Sequence, residues 1–400
     1  MLTSLALIFL VGLTMAGICS KIKLPRIIGM LVTGIVLGPY VLNFLDSKIL
    51  GISSELRSLA LIIILIKAGL SLNIADLKKV GRPALMMSFV PACFEILGYT
   101  LLAPLFLGVT RGEAALMGSV LAAVSPAVVV PRMVKLMDEK YGTEKSIPQM
   151  ILAGASLDDV FVIVLFSTFC GMAQGGEASL MNFVNIPVSI ALGILVGALF
   201  GVILTGIFEF AHNSGNSIRN SLKVIIILGV SLVLYSLEKG LDGIIAISGL
   251  LAVMGMSTVI NMKCRKDMTA DLSVKYGKLW LAAEVILFVL VGAAVDIRYT
   301  MQAGLSAIAL ILTVLVIRSI GVWLCLLGTA LNTKERIFCV ISYLPKATVQ
   351  AAIGSVPLSL GLGCGNIILS VAVLAILITA PLGAFGMDST YRKFLKHETG

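Results

Sequence analysis

Long apolar stretches separated by short polar connections make up almost the whole chain. The apolar runs lie at 2–19, 25–45, 55–74, 84–107, 113–136, 147–172, 183–209, 219–236, 240–261, 279–296, 302–330, 335–356 and 363–386. One bilayer-spanning helix needs about 20 predominantly apolar residues. The pattern therefore predicts an all-α polytopic membrane protein of about thirteen transmembrane helices. The first run has no basic leader, and Lys21, Lys23 and Arg26 follow it, so it reads as a membrane helix rather than a signal peptide. Composition agrees, with 58% hydrophobic and 13% charged residues, against about 25% charged in a soluble domain. A soluble enzyme, a disordered chain and a coiled coil are excluded. The seven cysteines show no CxxC spacing, so neither a metal cage nor a disulfide framework is expected.

Lysine and arginine alternate between connections. The odd connections and the C-terminal tail carry 22 of the 30 basic residues, among them Lys78, Lys79, Arg82, Lys263, Arg265 and Lys266. The even connections carry five: Lys48, Arg57, Arg111, Lys239 and Arg298. This positive-inside bias predicts an outside N-terminus and a cytoplasmic C-terminus. Topology accounts for the net charge of +9, and no nucleic-acid partner is expected.

The second half echoes the first. LPRIIGMLVTGIVLG from Leu24 matches LDGIIAISGLLAVMG from Leu241 at an offset of 217, and GLSLNI from Gly69 matches GAAVDI from Gly292 at 223. The second offset also sets Glu95 opposite Arg318, and SPAVVVP and PKATVQA occupy corresponding places. Helices 1–6 and 8–13 then form two six-helix repeats, and the odd number of crossings inverts one relative to the other. Such repeats, with interrupted helices in matching positions, point to a secondary transporter with its site at the midplane.

Five charges lie deep in the apolar runs, where each costs about 2.5–3.5 kcal/mol on insertion scales. Glu95, Asp158, Asp159 and Lys346 each sit about eleven residues into their runs, roughly 16 Å deep, and Arg318 is mid-helix. Adjacent helical residues point about 100° apart, so one aspartate can lean on a basic partner while the other meets a water-filled cavity. A cavity-facing carboxylate is a hard ligand for a small alkali cation. Burial and an acidic neighbour favour the protonated form of any carboxylate, so a proton and a cation compete for the same oxygens. Helices 5 and 12 supply the interruption, through Pro126 and Pro131 in one and Pro345, Gly354 and Pro357 in the other. Ser125, Ser156 and freed carbonyls near 124–125 are candidate further cation ligands. Lys346 is placed to neutralise carbonyl ends or to pair with Asp158. Glu95 and Arg318 read as a buried ion pair, either structural or part of the cycle. Glu284 is a candidate for an entry funnel or an interfacial residue; Lys67 snorkels; His212 and His397 fall in cytoplasmic segments.

The motifs GASLDDV, VSPAVVVP and LPKATVQAAIGSV resemble the cation–proton antiporter superfamily, in its branch with two adjacent aspartates. Glu95/Arg318 and PKATVQAA are most similar to the NHA subgroup of sodium/proton antiporters. The resemblance implies a 13-helix fold with crossed discontinuous helices 5 and 12, and a homodimer in membrane lipid, in the cell (inner) membrane. It implies a dimerisation scaffold at 1–83 and 210–298, a transport core at 84–175 and 299–387, a linker helix at 183–209 and a short tail at 388–400. The core would move like an elevator, with Asp159 as carrier and Asp158 beside it. Two departures stand out: Arg318 occupies a position where many relatives place lysine, and Val124-Ser125-Pro126 replaces Thr-Asp-Pro. The expected activity is exchange of Na+ or Li+ for H+ in pH homeostasis, with no cofactor and no enzymatic step. A sodium-coupled organic-anion symporter is the alternative. An intramembrane aspartyl protease is disfavoured because its two carboxylates must converge from separate helices. A passive channel would show flux insensitive to the pH gradient.

Overall fold

The computed structural model describes residues 1–71, 74–174, 180–240 and 247–397. Among these no strand forms, and the helices run in order: α1 (Leu2–Lys21), α2 (Arg26–Leu37), α3 (Ser47–Gly51), α4 (Ser53–Ser71), α5 (Ile74–Met87), α6 (Val90–Leu107), α7 (Arg111–Leu121), α8 (Pro126–Asp138) and α9 (Ile147–Ala173). The second half has α10 (Leu180–Asn213), α11 (Asn220–Gly240), α12 (Gly249–Lys263), α13 (Lys266–Ala293), α14 (Ile297–Cys325), α15 (Thr333–Ser342), α16 (Thr348–Ile353), α17 (Val356–Ser359) and α18 (Gly365–Phe394).

Among the described residues each apolar run lies mostly on helix, and three are split between two helices: 84–107 on α5 and α6, 113–136 on α7 and α8, 335–356 on α15 and α16. Among the described residues, nine helical stretches are long and apolar enough to cross a membrane, and α2 and α12 are shorter apolar helices. The polarity is inside out relative to a water-soluble protein. Leu305 is 86% and Phe385 75% exposed, whereas Arg318 is fully buried and Lys346 and Glu95 nearly so.

Local chemistry explains where the broken helices begin and end. Both α7 and α15 open on a capping box, Thr110 with Glu113 and Asn332 with Glu335, which satisfies otherwise orphaned N–H groups. Both then run three turns and stop near a proline. Pro126 begins α8 at the first helical position, where its missing N–H costs nothing. Pro345 lies in the gap between α15 and α16. This parallel in the two halves agrees with the sequence repeat. Residues 72–73 and 241–246 of the other matches lie outside the described residues.

The chain forms two compact units. One comprises Met1–Ser54, Asn73–Gly175 and Leu287–Gly400; the other Glu55–Leu72 and Gly176–Ile286. In the first, α6 packs on α7 and α14, α9 on α5 and α7, and α18 on α14 and α15. Gly383 lets α18 pass directly against the Pro345 ring.

In the second unit α10 packs along α12. Gly193, Gly197 and Gly201 make a GxxxGxxxG stripe on α10, and an added Cβ would fall on the carbonyl oxygens of Ser248, Ala252 and Met256 respectively. Apolar burial does not drive helices together in lipid, so close backbone approach supplies the attraction through van der Waals packing. Gly197→Ala is expected to destabilise by about 1–3 kcal/mol through overpacking. Gly206→Ala, on the same helix with nothing within 4 Å of the new Cβ, serves as the control. Thermal melting in detergent checks the pair; equal melting of the two variants contradicts close packing at the stripe.

Candidate functional site

The two helix breaks meet in the first unit. Ser125 is extended (φ −88°, ψ 110°), and its N–H donates to the carbonyl of Pro345 at 2.8 Å. Each break frees backbone groups that a membrane interior cannot hydrate, and side chains take them up. The Ala122 carbonyl accepts from Arg318 Nη1 and, at 3.5 Å, from Lys346 Nζ. Gln350 Nε2 donates to the carbonyls of Ala123 at 2.7 Å and Leu121 at 3.4 Å. On the other side, Arg318 Nε donates to the Tyr343 carbonyl at 2.9 Å. The Lys346 N–H reaches Thr379 Oγ1 at 2.9 Å, and the Ala347 N–H reaches Gln350 Oε1 at 2.8 Å. The carbonyl end of α7 carries the negative pole of its dipole, and two cations sit against it.

Those cations share one acid. Glu95 Oε2 accepts from Arg318 Nη1 and from Lys346 Nζ, both at 2.5 Å. Arg318 Nη2 lies 3.4 Å from Asp158 Oδ2, and its guanidinium lies 5.7 Å from the Tyr343 ring centroid. Asp158 Oδ2 also accepts the Val124 N–H at 2.7 Å. Arg318 therefore links Glu95, Asp158 and the two broken helices. The expected Glu95–Arg318 pair is present. Of the two alternatives for Lys346, the carbonyl end is observed, with Glu95 as its acid; Arg318, not Lys346, contacts Asp158.

The two aspartates differ. Asp158 is held by a backbone N–H and a guanidinium, while its Oδ1 has no partner. Asp159 is 9% exposed, and among the described residues it makes no ion pair; its buried Oδ1 has no hydrogen-bond partner. The buried Ser125 hydroxyl is likewise unpartnered. The Ser156 side chain lies outside the described residues. A buried carboxylate without a counter-charge is costly unless it gains a proton or a cation. The arrangement thus has one acid available for cargo beside one that is occupied.

Gln350, Tyr343 and Thr379 are components that the sequence reading missed. Gln350 carried a signal, as a long amide one turn after Lys346 at a break whose backbone needed donors. His397 lies edge-on to the Tyr141 ring at 4.8 Å. Glu284 is half-buried on α13.

Two interrupted helices that meet at their breaks, buried ion pairs there and, among the described residues, a buried carboxylate without an ion pair mark a polytopic helical membrane protein. Residues 5–388 match the family described as sodium/hydrogen exchanger, transmembrane, and the chain belongs to that family. It is 34% identical over 359 residues to sodium/hydrogen exchanger 9B2 of Xenopus tropicalis, covering 86% of this chain and 64% of that one. The human 9B2 protein is 32% identical over 374 residues, covering 90% and 68%. The chain thus spans about two thirds of the length of these relatives. Its fold is similar to that of the sodium proton antiporter MjNhaP1 from Methanocaldococcus jannaschii at pH 8, with a TM-score of 0.84, 21% identity and 98% of each chain covered.

Proposed function

We propose that the chain is a secondary antiporter that exchanges Na+ or Li+ for H+ by alternating access, with Asp159 as the shared ligand. The single observation that carries this reading is the contrast between neighbouring acids: Asp158 is held and, among the described residues, Asp159 has no counter-charge. Ser125 and Ser156 are the proposed neutral ligands beside them. An organic-anion symporter would need a cation free to hold the anion, and Arg318 and Lys346 are both engaged by Glu95.

Charge counting supports a coupling rule. Glu95, Asp158 and Asp159 carry three negative charges, and Arg318 and Lys346 two positive ones. The cluster is one charge short of neutral until Asp159 takes one Na+ or one H+. An uncompensated charge in a low-dielectric core costs several kcal/mol, so only the loaded core crosses. The expected exchange is one-for-one and electroneutral. In proteoliposomes the Na+-driven pH change should be the same with the membrane potential clamped by valinomycin and K+ as without the clamp. A rate that follows the imposed potential counts against the rule. Asp158→Asn is expected to impair exchange severely, because the amide oxygen can still accept the Val124 N–H but carries no charge to offset the Arg318 guanidinium.

The topology proposed around this site has thirteen crossings, an outside N-terminus and a cytoplasmic C-terminus, in the cell membrane as a homodimer. Segments 1–83 and 210–298 form the stationary scaffold, and 84–175 and 299–387 the moving core. That division concerns which segments move together; the two compact units describe which segments pack together in one state.

A further inference from the structure

The planar peptide joining Ala123 to Val124 is gripped from both sides. Its oxygen accepts from Gln350 Nε2 at 2.7 Å, and its N–H donates to Asp158 Oδ2 at 2.7 Å. Peptide planarity sets the C=O and N–H in opposed directions, so whatever fixes the oxygen also aims the hydrogen. Gln350 is fully buried, and its other end accepts the Ala347 N–H at 2.8 Å. The amide orientation is unique, because the reverse would set an NH2 against an N–H and an oxygen against two carbonyls.

We propose that Gln350 is a positioning residue for cation exchange: through the 123–124 peptide it aims the Val124 N–H at Asp158 and locks the two helix breaks in register. The inference rests on reading the site as an exchange site. Gln350 touches neither aspartate directly. With its hold removed, the 123–124 peptide turns, Asp158 Oδ2 loses the Val124 N–H, and the acid pair is no longer held in the geometry that takes the cation. The charged groups of the cluster are Glu95, Asp158, Asp159, Arg318 and Lys346.

Two variants test this in proteoliposomes, with half-saturating Na+ and the pH profile as readouts. Gln350→Leu removes both hydrogen-bonding ends. It should raise half-saturating Na+ by about tenfold and displace the pH profile, with a smaller change in maximal rate. Gln350→Glu keeps the shape. Protonated, its OH donates to Ala123 while its other oxygen accepts Ala347; ionised, it has no donor. Half-saturation should therefore approach the wild-type value at the acid end and the Leu value at the alkaline end. If both variants keep wild-type half-saturation and pH profile, the proposal is overturned, even if their melting temperatures fall. If Gln350→Leu does not fold, a Glu variant with wild-type half-saturation at every pH overturns it alone. Wild-type exchange silenced by Asp159→Asn but unmoved by both Gln350 variants defeats this inference only. A wild-type chain without sodium-driven proton movement defeats the exchange reading and this inference with it.

Discussion

Asp159→Asn is expected to abolish sodium-driven proton movement while leaving the protein at least as stable as the wild type. Asparagine has nearly the same shape, yet it neither binds a proton near neutral pH nor offers an anionic oxygen to a cation. A charge-assisted contact is worth about 1.5–3 kcal/mol, so Na+ binding should fall by about a hundredfold. The stability arm follows from the same geometry. Asp159 is buried with an unpartnered oxygen, and removing a buried charge that lacks a counter-charge relieves a desolvation cost. Everted vesicles with a pH-sensitive dye measure the first effect, and thermal melting in Na+-free detergent the second. Exchange within a few-fold of wild type would remove Asp159 from the carrier role. A lower melting point with exchange lost would mean that Asp159 supports the fold rather than the cargo.

Glu95→Gln has the largest expected effect on stability. The wild-type carboxylate receives both Arg318 and Lys346, and the three side chains are at most 1% exposed. The amide leaves two buried cations facing the single held acid Asp158. Breaking a buried pair by removing one partner costs about 3–5 kcal/mol. Melting in detergent should drop sharply, and Glu95→Gln with Lys346→Met should recover part of the loss by removing one stranded cation. The recovery is diagnostic: additive losses would show that Lys346 does not depend on Glu95. Arg318 is a poorer choice for the second substitution, because it also contacts the carbonyls of Ala122 and Tyr343.

Much of the site was legible in the chain because charge is expensive in an apolar run. Glu95, Asp158, Asp159, Arg318 and Lys346 stood out by their depth alone, and the structure brings four of them into contact, with Asp159 next in sequence to Asp158. The breaks were legible because Pro126 and Pro345 cannot continue a helix ladder. The Glu95–Arg318 pair was legible too, from the repeat offset that sets the two opposite each other; the partners of Lys346 and Asp158 were not. Lys346 had two plausible roles on sequence, and its acid is Glu95, 251 positions away. The glycine stripe of α10 looked like ordinary apolar helix, since glycine is common in membrane segments and only the facing α12 backbone gives 193, 197 and 201 a purpose.

The sequence by itself determined an all-helical membrane chain, its doubled plan, the places where two helices break and the acids and bases that must be compensated inside it. Those properties follow from local rules of solvation and backbone geometry, which act residue by residue. Only the tertiary structure decided that one arginine joins Glu95 to Asp158, that Gln350 takes the freed carbonyls, and that Asp159 is left over. Such pairings depend on where two broken helices cross, a distance between segments more than two hundred residues apart that no local pattern encodes.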